Sequence, residues 1–286
     1  MVNRTGSDEA PRAGASAFAG PPGGGLGFDD VPTAGATLMA RHAAHFAAAD
    51  ATVGGIAPRL TWFTWDRPTV SLGRLESADG IDRDALAAAG IPLVVRPTGG
   101  RAVFHVDEWT YAAIVPLDQP RLGGSLAAST RALTAVIAAA LAAAYGLRCD
   151  EPGDTRRPPG AATLAASATC FARSFGYELT VGGRTLMGCA QRRGRRVLLQ
   201  QGSLLVGPGH ERLARFLSAG GSSAEAALGE ATTNLSALLG GRPDPAPFRR
   251  ALAAAWTAVG ADEAGSAPQG SGQSRRGPLD SPGEPS

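Results

Sequence analysis

Two places in this chain hold residues equipped for chemistry. The first is Arg96-Pro97-Thr98-Gly99-Gly100-Arg101-Ala102-Val103-Phe104-His105. Glycines let a backbone approach a ligand closely, and arginine presents a fixed fork of N–H donors, so the segment suits an anionic or carbonyl-bearing ligand. Each residue also has a plain reading. Arg96 and Arg101 read as solvated turn residues, Gly99-Gly100 as a tight hairpin, and His105, alternating with Val103, as a hydrogen-bonded, half-buried histidine. It is their coincidence in one short segment that singles it out. The second place is Cys170, in "SATCFARSFGYEL", after an irregular loop and before a strand. A cysteine attacks as its thiolate, so catalysis requires a lowered pKa or a neighbouring base; without one it is a packed, inert thiol. Cys149, at the end of a long helix, and Cys189, within a strand, read as structural.

Other chemistries are excluded by what the chain lacks. Three cysteines with no CxxC spacing argue against a disulfide framework or a zinc site, and a reducing cytoplasm is the expected setting. There is no GKS/T phosphate loop and no GxSxG elbow, and "GPPGGGLGFDD" does not follow a strand. His42 and His45 stand three apart on a helix, without a third ligand for a metal. A net charge of +2 gives no sign of a nucleic-acid binder. No signal peptide is evident, and "VIAAALAAAYGL" is too short and alanine-rich to span a membrane. Every basic residue is arginine and none is lysine, a bias of coding composition that gains chemical meaning below.

These residues must be held by the elements around them. Residues 1–30 and 263–286, rich in Gly, Pro and Ser, are expected to be disordered tails flanking one domain at 31–262. "TLMARHAAHFAAA" reads as a helix, "RLTWFTW" and "TVSLGRL" as strands broken at Asp66-Arg67-Pro68, and "DRDALAAAG" as a short helix closed by Gly90. "IPLVVR" and "RAVFHV" are strands joined by the Thr98-Gly99-Gly100 turn, and "WTYAAIVP" is another. A helix over 127–145 carries Leu133, Val136, Ile137, Ala140, Leu141 and Ala144 on one stripe and ends at Gly146. "YELTVGGRTLMGCAQR" is a hairpin turning at Gly182-Gly183, "RVLLQQGSLLV" is a strand, and helices near "ERLARFLSA" and "PFRRALAAAWTAVG" finish the domain. The pattern is α+β: a mixed, largely antiparallel sheet flanked by helices.

Four segments, in order, resemble one family. "RPTGGRAVFH" is similar to the RRxTGGRAVxH segment of the biotin/lipoate protein ligase and octanoyltransferase superfamily. "WDRPTVSLGRLE" resembles its W-x-x-P-x-x-S-x-G-R/Y-x-Q motif. "CFARSFGYELTVGGRTLMGCAQRR" and "VLLQQGSLLV" resemble the CF-x-S-x-YE-L-x-x-x-GRK-x-x-GSAQ and LQHGS segments of octanoyl-[acyl-carrier-protein]:protein octanoyltransferases whose nucleophilic cysteine lies in this loop. The similarity spans about residues 33–240. It implies a biotin/lipoate ligase-like fold and transfer of an octanoyl or lipoyl group from acyl carrier protein, through a cysteine thioester, to a lysine of a lipoyl domain such as the glycine-cleavage H protein. Nucleic acid and membrane are not among the implied partners. Cys170 would be the nucleophile; Arg74, Arg96, Thr98, Gly99, Gly100, Arg101 and His105 would frame the acyl site; and Gly188, Gln191, Gly202 and Ser203 would sit on neighbouring strands.

One departure bears on activity: Thr185 stands at the family's GRK lysine, which in the family lies against the acyl carbonyl. Loss of such a donor typically costs about a hundredfold to a thousandfold in rate. Arg184 cannot replace it, because strand neighbours point to opposite faces. Val95, Glu76, Cys189 and Gln201 also differ from the family pattern. Beside the octanoyltransferase stand two alternatives: a non-catalytic homologue that binds an acyl group or lipoyl domain, and an ATP-dependent lipoate-protein ligase. No cofactor is expected, apart from ATP for the ligase.

Overall fold

The structure, a computed structural model, describes residues 25–151 and 178–261. Cys170 lies outside the described residues.

Among the described residues, nine strands form two sheets. The first strands are β1 (Gly25–Thr33), β2 (Arg59–Trp65), β3 (Thr69–Leu72), β4 (Leu93–Val95), β5 (Val103–His105) and β6 (Glu108–Pro116). After them come β7 (Leu179–Val181), β8 (Arg184–Arg193) and β9 (Val197–Leu205). The larger sheet has the order β1-β2-β6-β9-β8-β7 and the smaller one β4-β3-β5. The β1–β2 and β3–β4 pairs are parallel and all others antiparallel, so the mixed, largely antiparallel α+β architecture holds.

The helices are α1 (Gly35–Ala51), α2 (Arg83–Ala88), α3 (Leu126–Tyr145), α4 (Ser222–Ala231), α5 (Leu235–Leu239) and α6 (Pro245–Ala261), with a 3₁₀ turn at His210–Phe216. α3 begins where the Ser125 hydroxyl accepts from the Ala128 N–H at 3.2 Å and ends on left-handed Gly146. Its length and mean hydropathy of 1.6 would suffice for a membrane span, contrary to the expectation from length. One face is nevertheless buried: Leu133, Ile137, Ala140 and Leu141 pack with Leu60, Tyr111, Leu198 and α6 on one side of the large sheet. α1 covers the opposite side through Leu38, Met39 and Phe46. The small sheet packs on α2, the 3₁₀ turn and α4.

Two expectations are corrected, the N-terminal tail boundary and the turn between β4 and β5. Residues 25–30 are not tail: they belong to β1, which adds to the sheet edge by parallel pairing with β2. β2 and β3, adjacent in sequence, lie in different sheets, because Asp66-Arg67-Pro68 carries the chain out of one ladder into the other. β4 and β5 are not a hairpin; β3 lies between them, so Thr98-Gly99-Gly100 is a crossover loop. By contrast, Gly182 and Gly183, at φ 59° and 75°, form the expected tight turn between β7 and β8.

The crossover loop lies so close to the end of β3 that a Cβ on Gly73 would overlap the Gly100 carbonyl. That backbone contact cannot yield as a flexible side chain would. Gly73→Ala is expected to cost about 1–3 kcal/mol in urea unfolding. Gly80→Ala, with nothing near its added methyl, should stay within about 0.5 kcal/mol.

Candidate functional site

Arg96 is the buried centre of the site, 5 % exposed. The small sheet fixes its backbone, since its N–H donates to Leu72 O at 2.9 Å. Its guanidinium spans the crossover loop: Nε and Nη2 donate to Gly99 O at 3.1 and 2.7 Å, and Nη2 also to Arg101 O at 2.6 Å. Nη1 donates to the Ser71 carbonyl and hydroxyl, both at 3.0 Å. A planar five-donor group thus templates a loop whose glycines could not hold one shape themselves.

From Ser71 a chain of hydrogen bonds runs across both sheets. The Ser71 hydroxyl lies 2.7 Å from His105 Nε2, and His105 Nδ1 lies 2.6 Å from Glu108 Oε1. A carboxylate only accepts, so the ring proton belongs on Nδ1 and Ser71 donates to Nε2. Glu108 Oε1 also accepts from Thr110 at 2.6 Å and Ser203 at 3.1 Å. Trp65 stacks on His105 at 4.1 Å and donates to the Thr110 hydroxyl at 2.9 Å. The histidine is therefore both hydrogen-bonded core and part of the site.

A second chain supports the loop from behind. Thr98 donates to Gln201 Oε1 at 2.8 Å, and Gln201 Nε2 donates to His42 Nδ1 at 3.1 Å. Burial, with Arg41 and His45 nearby, lowers the His42 pKa to about 3, so at neutral pH the ring is the uncharged acceptor that Gln201 requires.

Members of both chains border one cavity with an empty volume of about 440 Å³, counting space open to solvent. Its apolar wall is Met39, Phe63, Trp65, Val103 and Ala190, and its polar groups include Arg96, His105, Thr110, Gln201 and Ser203. Gly188 pairs with Ser203 and Ala190 with Gln201, so these four share a face; the intervening Cys189–Gly202 pair also borders the cavity.

Of the residues singled out in the sequence, Arg96, His105, Gly188, Gly202 and Ser203 line the cavity. Gly202 must be glycine because the Tyr111 ring lies across it. Gly99, Gly100 and Arg101 are not among the residues lining this cavity; the Gly99 and Arg101 carbonyls accept from the Arg96 guanidinium. Arg74 is exposed and acts through its N–H, which holds Thr98 O at 2.9 Å. Gln191 shows the cavity side only its backbone: its carbonyl accepts from Gly99 N at 3.4 Å. Its amide bonds Thr130 of α3 at 2.9 Å and Gln200 at 2.7 Å. Thr185 is buried in β8, its carbonyl held by Thr233 N at 2.9 Å, and is not among the cavity's lining residues. Burial and Asp150 push the Cys149 thiol up to about 11, an inert thiol, whereas Cys189 lines the cavity. Sequence reasoning passed over Trp65, Ser71, Glu108, Thr110 and the supporting role of Gln201. Only the three-residue spacing from His105 to Glu108 gave a local signal.

Comparison with known proteins places this arrangement. A family described as the lipoyl protein ligase A/B catalytic domain matches residues 42–257. The chain is 40% identical over 160 residues to octanoyltransferase LipM of Kyrpidia tusciae, covering 54% of this chain and 56% of that protein. It is 36% identical over 154 residues to octanoyltransferase LipM of Symbiobacterium thermophilum, covering 54% and 55%. The chain thus spans about half the length of the curated relatives it matches. A solved bi-partite lipoate protein ligase of Thermoplasma acidophilum superposes with a TM-score of 0.63 at 19% identity, covering 83% of each chain; that likeness shows the fold.

Because His42 is neutral when folded and takes up a proton when unfolded, the unfolded chain binds more protons between about pH 3 and 6.5. Stability should therefore fall as pH drops through that window. His42→Gln should reduce the slope of unfolding free energy by up to about 1.4 kcal/mol per pH unit, measured by urea titrations at several pH values. His45 and His210, whose pKa values burial also lowers, supply the remaining histidine slope.

Proposed function

The chain belongs to the lipoyl protein ligase A/B catalytic-domain family, and from that premise we propose that it transfers an octanoyl group from acyl carrier protein to a lysine of a lipoyl domain. The observation that carries this reading is the cavity itself: an apolar wall of Met39, Phe63 and Val103 facing a polar side built from Arg96 and His105. Burying an eight-carbon chain there would contribute about 0.8 kcal/mol per methylene. The match to octanoyltransferases supports the same chemistry.

Cys170 is the proposed nucleophile, on its resemblance to the family's cysteine loop. Its thiolate attacks the thioester carbonyl, forming a new C–S bond while the carrier's C–S bond breaks and the carrier sulfur leaves as a thiolate. The acceptor amine then attacks the acyl-enzyme, an amide forms, and the cysteine sulfur departs as one proton is released. The donor is already an activated thioester, so neither step uses ATP. With no lysine in the chain, the guanidinium facing the cavity among the described residues is that of Arg96. It is held by neutral oxygens of Ser71, Gly99 and Arg101, and its fixed charge favours an acyl oxygen that gains negative charge. The glycine-cleavage H protein is the proposed acceptor type.

Intact-mass spectrometry of the protein mixed with octanoyl-acyl carrier protein tests this. A single octanoyl adduct is expected in the parent protein and none in Cys170→Ser. No adduct on long incubation would overturn the transferase reading in favour of a binding role. Acceptor modification that requires ATP and free octanoate would make the chain a ligase.

A further inference from the structure

A second opening leads toward the same centre. The β2–β6 ladder ends at the Phe63–Thr110 pair. Beyond it β2 keeps company with β1, pairing Trp65 with Thr33, while Glu108 and Trp109 continue along β9. The two strands part, and the gap is a cleft with an empty volume of about 650 Å³, counting space open to solvent, bordered by Pro245, Phe248 and Arg249 of α6. Cleft and cavity share Phe63 and Thr110.

Three residues of this cleft carry a buried polar atom without a hydrogen bond among the described residues; Asp29 Oδ2 is ion-paired with Arg41 at 2.9 Å, and the other two lack such a partner. Glu108, with its side chain 1 % exposed, commits Oε1 to His105 and its neighbours, whereas Oε2 has no hydrogen bond. Trp62, 6 % exposed, has no acceptor for its indole N–H. Buried polar groups are paired as a rule, and both of these residues line the cleft.

The occupant that answers both must donate to a carboxylate and accept from an indole. The walls add two conditions. Phe28, Trp62, Phe63 and Phe248 favour an apolar stem; the Phe28 ring face already carries the Arg249 guanidinium at 4.8 Å. The arginines of the cleft are already paired, Arg242 with Asp107 and Arg249 with Asp30, and Asp29 is paired with Arg41, which leaves Glu108 Oε2 as the buried carboxylate oxygen of the cleft with neither an ion pair nor a hydrogen bond among the described residues. A lysyl residue meets every condition: an ammonium donor, four methylenes, and a peptide carbonyl as acceptor.

We propose that the cleft between β2, β6 and α6 admits the acceptor lysine, so that acyl donor and acceptor use separate openings that meet at Glu108, Thr110 and Phe63. This rests on the acyl-transfer reading above, but its test does not require turnover. Thr64 is exposed and lines the cleft. A Thr64→Cys variant is mixed with a lipoyl domain whose acceptor lysine is replaced by cysteine, and disulfide formation is followed under mild oxidation. The parent protein and Val53→Cys, at a position 80 % exposed and outside the cleft, serve as baselines. Cross-linking at position 64 is expected to run at least about fivefold above both baselines. N-acetyl-lysine amide should slow it at least twofold, and N-acetyl-norleucine amide should not. Cross-linking at baseline level would overturn the proposal and leave water as the occupant; equal inhibition by both amides would overturn the role of the ammonium. A positive cross-link from a protein that forms no octanoyl adduct would keep the cleft and discard the transferase reading.

Discussion

The site depends on one buried guanidinium. Arg96 reaches from the edge of the small sheet to three carbonyls and a hydroxyl, on Ser71, Gly99 and Arg101. Charge-assisted hydrogen bonds of this kind contribute about 1.5–3 kcal/mol each, enough to hold a glycine-containing crossover in one conformation. The same contacts fix the Ser71 hydroxyl, which orients His105, which in turn meets Glu108 on the large sheet. Two sheets that share no ladder are therefore joined by a directional series of donors and acceptors. Its members are packed too tightly to reorganise independently.

Much of this was legible along the chain wherever the cause is local. Helix α3 declares itself by its apolar stripe and its closing Gly146, and the β7–β8 hairpin by Gly182-Gly183. The segment from Arg96 to His105 stands out because its residue types conflict with an ordinary strand. What was illegible is long-range. Thr98 and Gln201 are separated by 103 residues and Ser203 and Glu108 by 95, and no local pattern announces such pairs. Alternation also misleads where a strand serves two layers: Gln191 has a motif residue's spacing, yet its amide turns to α3. β1 was missed because a glycine-rich entry hides a strand whose partner lies at the sheet edge.

The absence of lysine recasts how such a site would stabilise an acyl oxygen. Thr185 occupies the position where the resembled family carries its lysine, but it is tied into the β8 backbone near Thr232 and Thr233. Among the described residues, the guanidinium that lines the cavity is that of Arg96, which cannot act as a base. The His105–Glu108 couple stands on the other side, and its carboxylate borders the second opening. On the proposed function, charge stabilisation would belong to the small-sheet side and proton transfer to this couple.

The central claim is that an octanoyl chain lies in the cavity under Arg96. A crystal structure of the protein bound to a non-hydrolysable octanoyl-pantetheine amide tests it most directly. The account predicts the alkyl chain against Met39, Phe63 and Val103, with the carbonyl oxygen turned toward Arg96. An alkyl chain seated elsewhere, with this cavity holding only solvent, would contradict it.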